Sequence, residues 1–130
     1  MADTGDTVAA REFLVVSRGK WDKDKSPQEI QRAIDAFYEW RDVLVREGRM
    51  KSGQRLATPA KVVSRNGVTA GPFAAATEVI GGSWFFVAER RDAAAALAAK
   101  NPCLACGLTL EVRPLENERA SAYRVTNETP

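Results

Sequence analysis

Two runs of consecutive apolar residues constrain the fold of this 130-residue chain more than any other feature. They are Phe13 to Val16, within the segment REFLVVSR, and Trp84 to Val87, within GGSWFFVAE. Strand residues point alternately to the two faces of a sheet, so a strand that is apolar at every position has both faces covered. The sequence therefore predicts two central strands of one sheet, with a cover on each face.

A strongly marked helix follows the first of these strands. Ser26 and Glu29 have the spacing of a capping box, Pro27 suits the first helical position, and Gly48 suits the C-terminal end. Apolar residues then recur every three or four positions, which predicts one buried helix face: they are Ile30, Ala33, Ile34, Phe37, Trp40 and Leu44. The aromatic pair in this series is assigned to the core, with an aromatic ligand site as the alternative.

The middle of the chain has weaker signals. Short strands are expected at about 53–57 and 60–65, with a tight turn at Asn66 and Gly67 and a returning strand over 68–73. Residues 74–80 are interpreted as one helical turn or a loop.

A second helix and a last strand follow the second apolar run. Asp92 is the expected N-cap of a helix over 93–100, which Asn101 and Pro102 end. Beyond it, apolar and polar residues alternate, which indicates a half-buried strand near a sheet edge: the apolar set is Leu108, Leu110 and Val112, and the polar set is Thr109, Glu111 and Arg113.

The order strand, helix, hairpin, strand, helix, strand is that of a ferredoxin-like βαββαβ fold of the α+β class. It predicts an antiparallel sheet with two helices on one face. Since two helices cover only one face, a second copy of the chain is the simplest cover for the other, and we expect a homodimer. The domain is expected at 11–115, between a flexible N-terminal tail at 1–10 and a polar C-terminal tail at 116–130.

Composition argues against several classes of partner. The chain has 19 basic and 17 acidic residues, with no clustered basic run, so nucleic-acid binding is not expected. No apolar run approaches the ~18 residues of a membrane span, and residues 1–10 lack the apolar segment of a secretory signal. A cytoplasmic location without membrane contact is predicted.

The two cysteines, Cys103 and Cys106, have a CxxC spacing but follow a helix, whereas a redox pair precedes one. Zinc needs about four ligands, and the chain contains no histidine and no further cysteine, so only a second chain would complete a site. We interpret both as buried or half-buried thiols and predict no metal and no cofactor.

The order of motifs between Thr69 and Leu115 resembles that of the YCII-related, DGPF-type family. GPF at 71–73 matches the hallmark turn, Glu78 with Gly81 and Gly82 matches the segment before the central strand, and EVRP at 111–114 matches the closing strand. The resemblance covers about residues 12–115. It implies a ferredoxin-like fold that pairs into a dimeric α+β barrel.

The chain departs from the family pattern at Ala70, Ala75 and Thr77, where the pattern has an acidic residue, a glutamate and a lysine. The resemblance also implies a histidine–aspartate acid–base pair in several relatives, and this chain has no histidine. Histidine is the side chain whose ordinary pKa suits proton transfer near neutrality. No catalytic residue is therefore carried over, and no reaction is assigned.

A cleft beside the sheet remains as the candidate ligand site. Its expected residues, listed in chain order, are Arg18, Glu78, Trp84, Glu111 and Arg113. A guanidinium there suits the carboxylate or phosphate of a small acidic ligand, and an indole supplies a stacking surface. The alternative for the charged residues is a salt-linked sheet edge without a ligand.

Three functions stay open at this point. The first is a homodimeric small-molecule-binding α+β barrel, and the second is a catalytically degenerate interaction or regulatory protein. The third is an enzyme that uses Glu78 or Glu111 as general base, which requires burial to raise the pKa of that carboxyl.

Overall fold

The computed structural model describes residues 11–72 and 79–130. In chain order its elements are β1 (Arg11–Arg18), α1 (Pro27–Arg46), β2 (Met50–Arg55), β3 (Ala60–Ser64), β4 (Gly67–Gly71), β5 (Ile80–Ala88), α2 (Arg91–Ala98), a 3-10 helix (Pro102–Cys106) and β6 (Thr109–Pro114). Four strands form an antiparallel sheet in the order β2-β5-β1-β6. The two apolar runs are its central strands, and the ferredoxin-like α+β topology is confirmed.

The predicted capping box starts α1. The Ser26 hydroxyl accepts from the Glu29 backbone N–H at 3.1 Å, and the Glu29 carboxylate accepts from the Ser26 backbone N–H at 3.0 Å. At the other end, Gly48 has a φ of 74° just beyond the C-cap, a conformation that side chains disfavour. The helix therefore begins and ends where its sequence signals predict.

The expectation for the start of α2 was wrong. The N-cap is Arg90, which makes no side-chain capping bond, and Asp92 lies in the first turn. A carboxylate there still interacts favourably with the positive end of the helix. Asn101 has a capping role of its own, since its side chain accepts from the Cys103 backbone N–H at 2.8 Å and starts the 3-10 helix.

Both helices pack on the same face of the sheet. Strand register places Val15 beside Trp84 on one side and Val112 on the other, and Phe13 beside Phe86. This face forms the core together with residues from the helices and β2, namely Leu44, Met50, Ala94, Leu97 and Ala98. Phe13, Val15 and Phe86 are fully buried there, so one face of each central strand is closed within the chain.

The β3–β4 hairpin forms a separate two-stranded sheet. Its turn lies between Ser64 and Gly67, so the two turn residues are Arg65 and Asn66, one position before the predicted Asn66–Gly67 pair, of which only Gly67 has a positive φ. Val63 and Val68 lie opposite each other and are 71% and 64% exposed. The strand expected at 53–57 begins earlier, at Met50, and the expectation for 74–78 lies outside the described residues.

The chain after β6 is exposed throughout residues 115–130 and contains no helix or strand. Among the residues described, none of the helices has the length and apolarity needed to cross a bilayer.

Candidate functional site

The sheet face that the helices leave uncovered carries most of the predicted cleft, and we call it the second face. Strand register aligns Lys51, Phe85, Leu14 and Arg113 in one row across all four strands. The half-buried apolar side chains at its centre are Leu14, Val16, Phe85 and Val87. The second face is therefore apolar along its central strands and charged along its outer ones.

Ion pairs flank this apolar centre on two sides. On the β6 side, the Arg18 Nε donates to Glu111 Oε1 at 2.8 Å and the Arg113 Nη1 donates to Oε2 of the same carboxylate at 3.2 Å. On the β2 side, the Lys51 ammonium pairs with the Glu12 carboxylate. An apolar centre with a polar margin is the organisation of a protein–protein interface.

The electrostatics of Glu111 do not suit a general base. The hydrogen bond from Arg18, with a smaller contribution from Arg113, holds the pKa of this carboxyl below its ordinary value, against a raising effect of burial. A carboxylate that takes protons near neutral pH needs a pKa shifted upward. Because the shift has the opposite sign, the geometry argues against Glu111 in the enzyme hypothesis.

The predicted site residues do not all meet. Arg18, Glu111 and Arg113 lie together on the second face. Trp84 lies on the helix-covered face, 7% exposed, with its ring centroid 5.4 Å from that of Phe37, so its assignment to the same cleft was wrong. A run that is apolar at every position does not reveal which alternate residues face the helices. Glu78 lies outside the described residues.

Trp84 instead lines a pocket of about 360 Å³ at the edge of the sheet, between α1 and β2. We call this the edge pocket; its lining includes Phe37, Tyr38, Arg41, Ser52, Arg55 and Trp84. The Trp84 Nε1–H is buried and has no hydrogen-bond partner among the described residues. A buried donor without an acceptor costs about 1–3 kcal/mol, so it calls for an explanation.

A β-bulge beside Trp84 shapes the edge pocket. Lys51 pairs with Phe85 and Gln54 pairs with Ser83, so the two residues Ser52 and Gly53 lie opposite Trp84 alone. Bulges redirect side chains and are frequent beside functional sites. The sequence carries one signal for it, Gly53, because a glycine inside a strand often marks a bulge.

The cysteines of the CxxC spacing are free and buried in the 3-10 helix. The Cys103 Sγ donates to the Ala33 carbonyl at 3.6 Å. Burial, with a smaller effect of Cys106, raises the pKa of the Cys103 thiol to about 11. A thiol with that pKa is almost wholly protonated near neutrality, which makes it a poor nucleophile.

The fold and the second face define a ferredoxin-like α+β domain with one open sheet face. A family model for the YCII-related domain matches residues 5–116, and the chain belongs to the YCII-related family. Of the hallmark turn, Gly71 and Pro72 are joined by a cis peptide bond, and Phe73 lies outside the described residues.

Among solved structures, one match is 5-chloro-2-hydroxyhydroquinone dehydrochlorinase (TftG) from Burkholderia phenoliruptrix AC1100, in complex with 2,5-dihydroxybenzoquinone. It is 16% identical, the match covers 82% of this chain and 95% of that chain, and the TM-score is 0.46. No curated protein matches this chain.

Proposed function

We propose that this member of the YCII-related family is a homodimeric binding protein for a small acidic molecule. In this proposal two copies face each other through their second faces and enclose a cleft between the sheets. The observation that carries it is the apolar centre of the second face, whose side chains are only partly buried in a single chain. Burying such a surface against an identical one stabilises a two-fold dimer.

The charge of the β6-side cluster supports an acidic ligand. Arg18 and Arg113 share the carboxylate of Glu111, so the part of the cluster within the described residues has one excess positive charge. The Arg113 side chain is 49% exposed and uses only Nη1 in its bond to Glu111. Its planar guanidinium can therefore bind a carboxylate or phosphate group through the remaining donors.

Binding fits these residues better than catalysis. The one carboxylate in the described part of the cluster is already paired and has a lowered pKa. The chain also has no histidine that would replace it as a base. As part of the same proposal the protein is cytoplasmic, since two buried free thiols suit a reducing compartment.

A thermal-shift screen of small mono- and dicarboxylic acids tests the proposal, with Arg113→Ala and Arg46→Ala compared against the wild type. Arg46 is an exposed arginine in the last turn of α1, away from the cluster, and serves as the matched control. We expect at least one acid to raise the Tm of the wild type and the control but not that of Arg113→Ala. Equal shifts in all three proteins would contradict binding at Arg113, and the absence of any shift would favour the interaction or regulatory alternative.

A further inference from the structure

We propose that the edge pocket is a separate binding site for a planar aromatic carboxylate. The site lies within one chain and on the opposite side of the sheet from Arg113, so it does not depend on the dimer or on the proposed cleft. Its volume of about 360 Å³ lies at the lower end of the ~300–1,000 Å³ range of small-ligand pockets. It therefore suits a molecule built on one or two rings.

Three aromatic side chains provide the apolar wall. The ring centroid of Phe37 lies 5.4 Å from those of both Tyr38 and Trp84, so the three rings form one continuous surface. Tyr38 marks the outer end, where it is 37% exposed, and Trp84 marks the buried end. Such a surface favours a flat aromatic ring, which makes stacked or edge contacts with each neighbour.

Two arginines, Arg41 and Arg55, line the pocket, and their positive charge favours a ligand that carries a carboxylate. The Arg41 guanidinium lies 4.8 Å from the Tyr38 ring centroid, where its pair with Asp42 holds it. Arg55 is exposed and makes no ion pair within 11–72 and 79–130. None of the described lining residues is acidic. The unpaired guanidinium of Arg55 is thus a ready partner for a carboxylate.

The buried indole N–H of Trp84 favours a ligand that also carries a hydrogen-bond acceptor. Trp84 Nε1 lacks a partner in the described structure, and the bulge at Ser52 and Gly53 interrupts the strand ladder beside it. The nitrogen has almost no accessible surface in the unbound chain, so in this proposal the bulged segment shifts on binding and a ring hydroxyl or carbonyl oxygen of the ligand then accepts from this donor. An aromatic acid with such an oxygen combines the three features that the edge pocket presents.

The test uses 4-hydroxybenzoate as probe, measured by calorimetry and by tryptophan fluorescence on the full chain. We expect saturable binding with a Kd below about 1 mM. Two control ligands separate the contributions: 4-hydroxybenzamide is close to isosteric and lacks the charge, and 4-hydroxycyclohexanecarboxylate keeps the charge and lacks the planar ring. Each is expected to bind at least about tenfold more weakly.

Matched variants locate the site. Arg55→Ala is expected to weaken 4-hydroxybenzoate about tenfold, whereas Arg46→Ala, at an exposed arginine outside both proposed sites, is expected to leave the affinity unchanged. Trp84→Phe keeps an aromatic ring and removes the N–H, so it is expected to weaken 4-hydroxybenzoate more than benzoate. If Trp84→Phe does not fold, the affinity of Arg55→Ala for 4-hydroxybenzoate still tests whether the ligand binds in the edge pocket.

Three results would overturn the assignment. One is the absence of 4-hydroxybenzoate binding up to about 10 mM, because a Kd above that concentration is too weak for specific recognition. Another is equal affinity for the acid and its amide. The third is an affinity lost in Arg113→Ala and kept in Arg55→Ala, which would move the ligand to the second face and support the proposed function instead.

Discussion

The Arg18 Nε and the Glu111 Oε1 lie 2.8 Å apart on neighbouring strands, and this pair joins β1 to the edge strand β6. Arg113, two residues further along β6, holds the other carboxylate oxygen at 3.2 Å. About a third of each side chain in the first pair is exposed, which limits its effect on the free energy of unfolding to below about 1 kcal/mol. The ion pairs therefore orient the two guanidinium groups more than they stabilise the sheet.

Glu111→Gln should make the protein less stable at neutral pH and equally stable in acid. The folded pKa of Glu111 is depressed below its ordinary 4.5, so its contribution is present above that value and is lost as pH falls through the folded pKa. Urea unfolding of both proteins at pH 7 and at about pH 3 measures this. We expect a difference below about 1 kcal/mol at pH 7 that shrinks in acid.

The control is Glu39→Gln, at an exposed position on the outer face of α1. A Glu111→Gln effect that persists unchanged in acid would show that the substitution acts through packing and not through charge.

Gly53→Ala should destabilise the sheet edge strongly. A Cβ at Gly53 would lie 1.6 Å from the Ser83 carbonyl oxygen, so strand β2 would have to move away from β5. We expect a loss of at least about 2 kcal/mol in the free energy of unfolding. The matched control is Gly81→Ala in β5, where a Cβ meets nothing within 4 Å and the expected loss is under about 1 kcal/mol. Equal losses would contradict the bulge geometry.

The free energy of unfolding should decrease at alkaline pH because the buried Cys103 thiol resists ionisation in the folded state. Burial raises its pKa from an ordinary 9.0 to about 11, so its contribution is complete below pH 9 and is lost as pH rises toward 11. Relative to Cys103→Ala, the wild type should lose up to about 2 kcal/mol across that window. Denaturant unfolding of both proteins between pH 8 and 11 provides the comparison, and parallel pH profiles would refute the assignment.

Helices and strands were predicted correctly where a local sequence signal, such as a helix cap or an apolar pattern, has a single physical interpretation. Ser26 and Glu29 fixed the start of α1, and Gly48 marked its end. The alternation around Leu110 and Val112 correctly predicted an edge strand with its apolar side on the core. The two continuous apolar runs correctly predicted the centre of the sheet.

The features that the sequence did not predict depend on how neighbouring strands align with one another. The run from Trp84 to Val87 in β5 is apolar at every position, so only the pairing of Trp84 with Val15 shows that the indole faces the helices and not Glu111. The bulge opposite Trp84 depends on how β2 aligns with β5, which the weak pattern of 53–57 does not encode. The edge pocket results from that alignment, and for this reason it emerged only from the structure.

Leu14→Glu should separate the proposed dimer. Leu14 lies half-buried at the centre of the second face, between Phe85 and Arg113 in the strand register, and a carboxylate there would be desolvated in the paired state. Val63→Glu is the matched control, because it places the same charge on the exposed hairpin. Circular dichroism checks that both variants keep their secondary structure.

The most direct test of the account is the molar mass in solution at micromolar concentration, by light scattering on a size-exclusion column. Pairing of the second faces predicts twice the 14.2 kDa mass of one chain for the wild type and for Val63→Glu, and the single-chain mass for a folded Leu14→Glu. A wild type that elutes at 14.2 kDa would contradict the pairing of second faces and with it the cleft at Arg113.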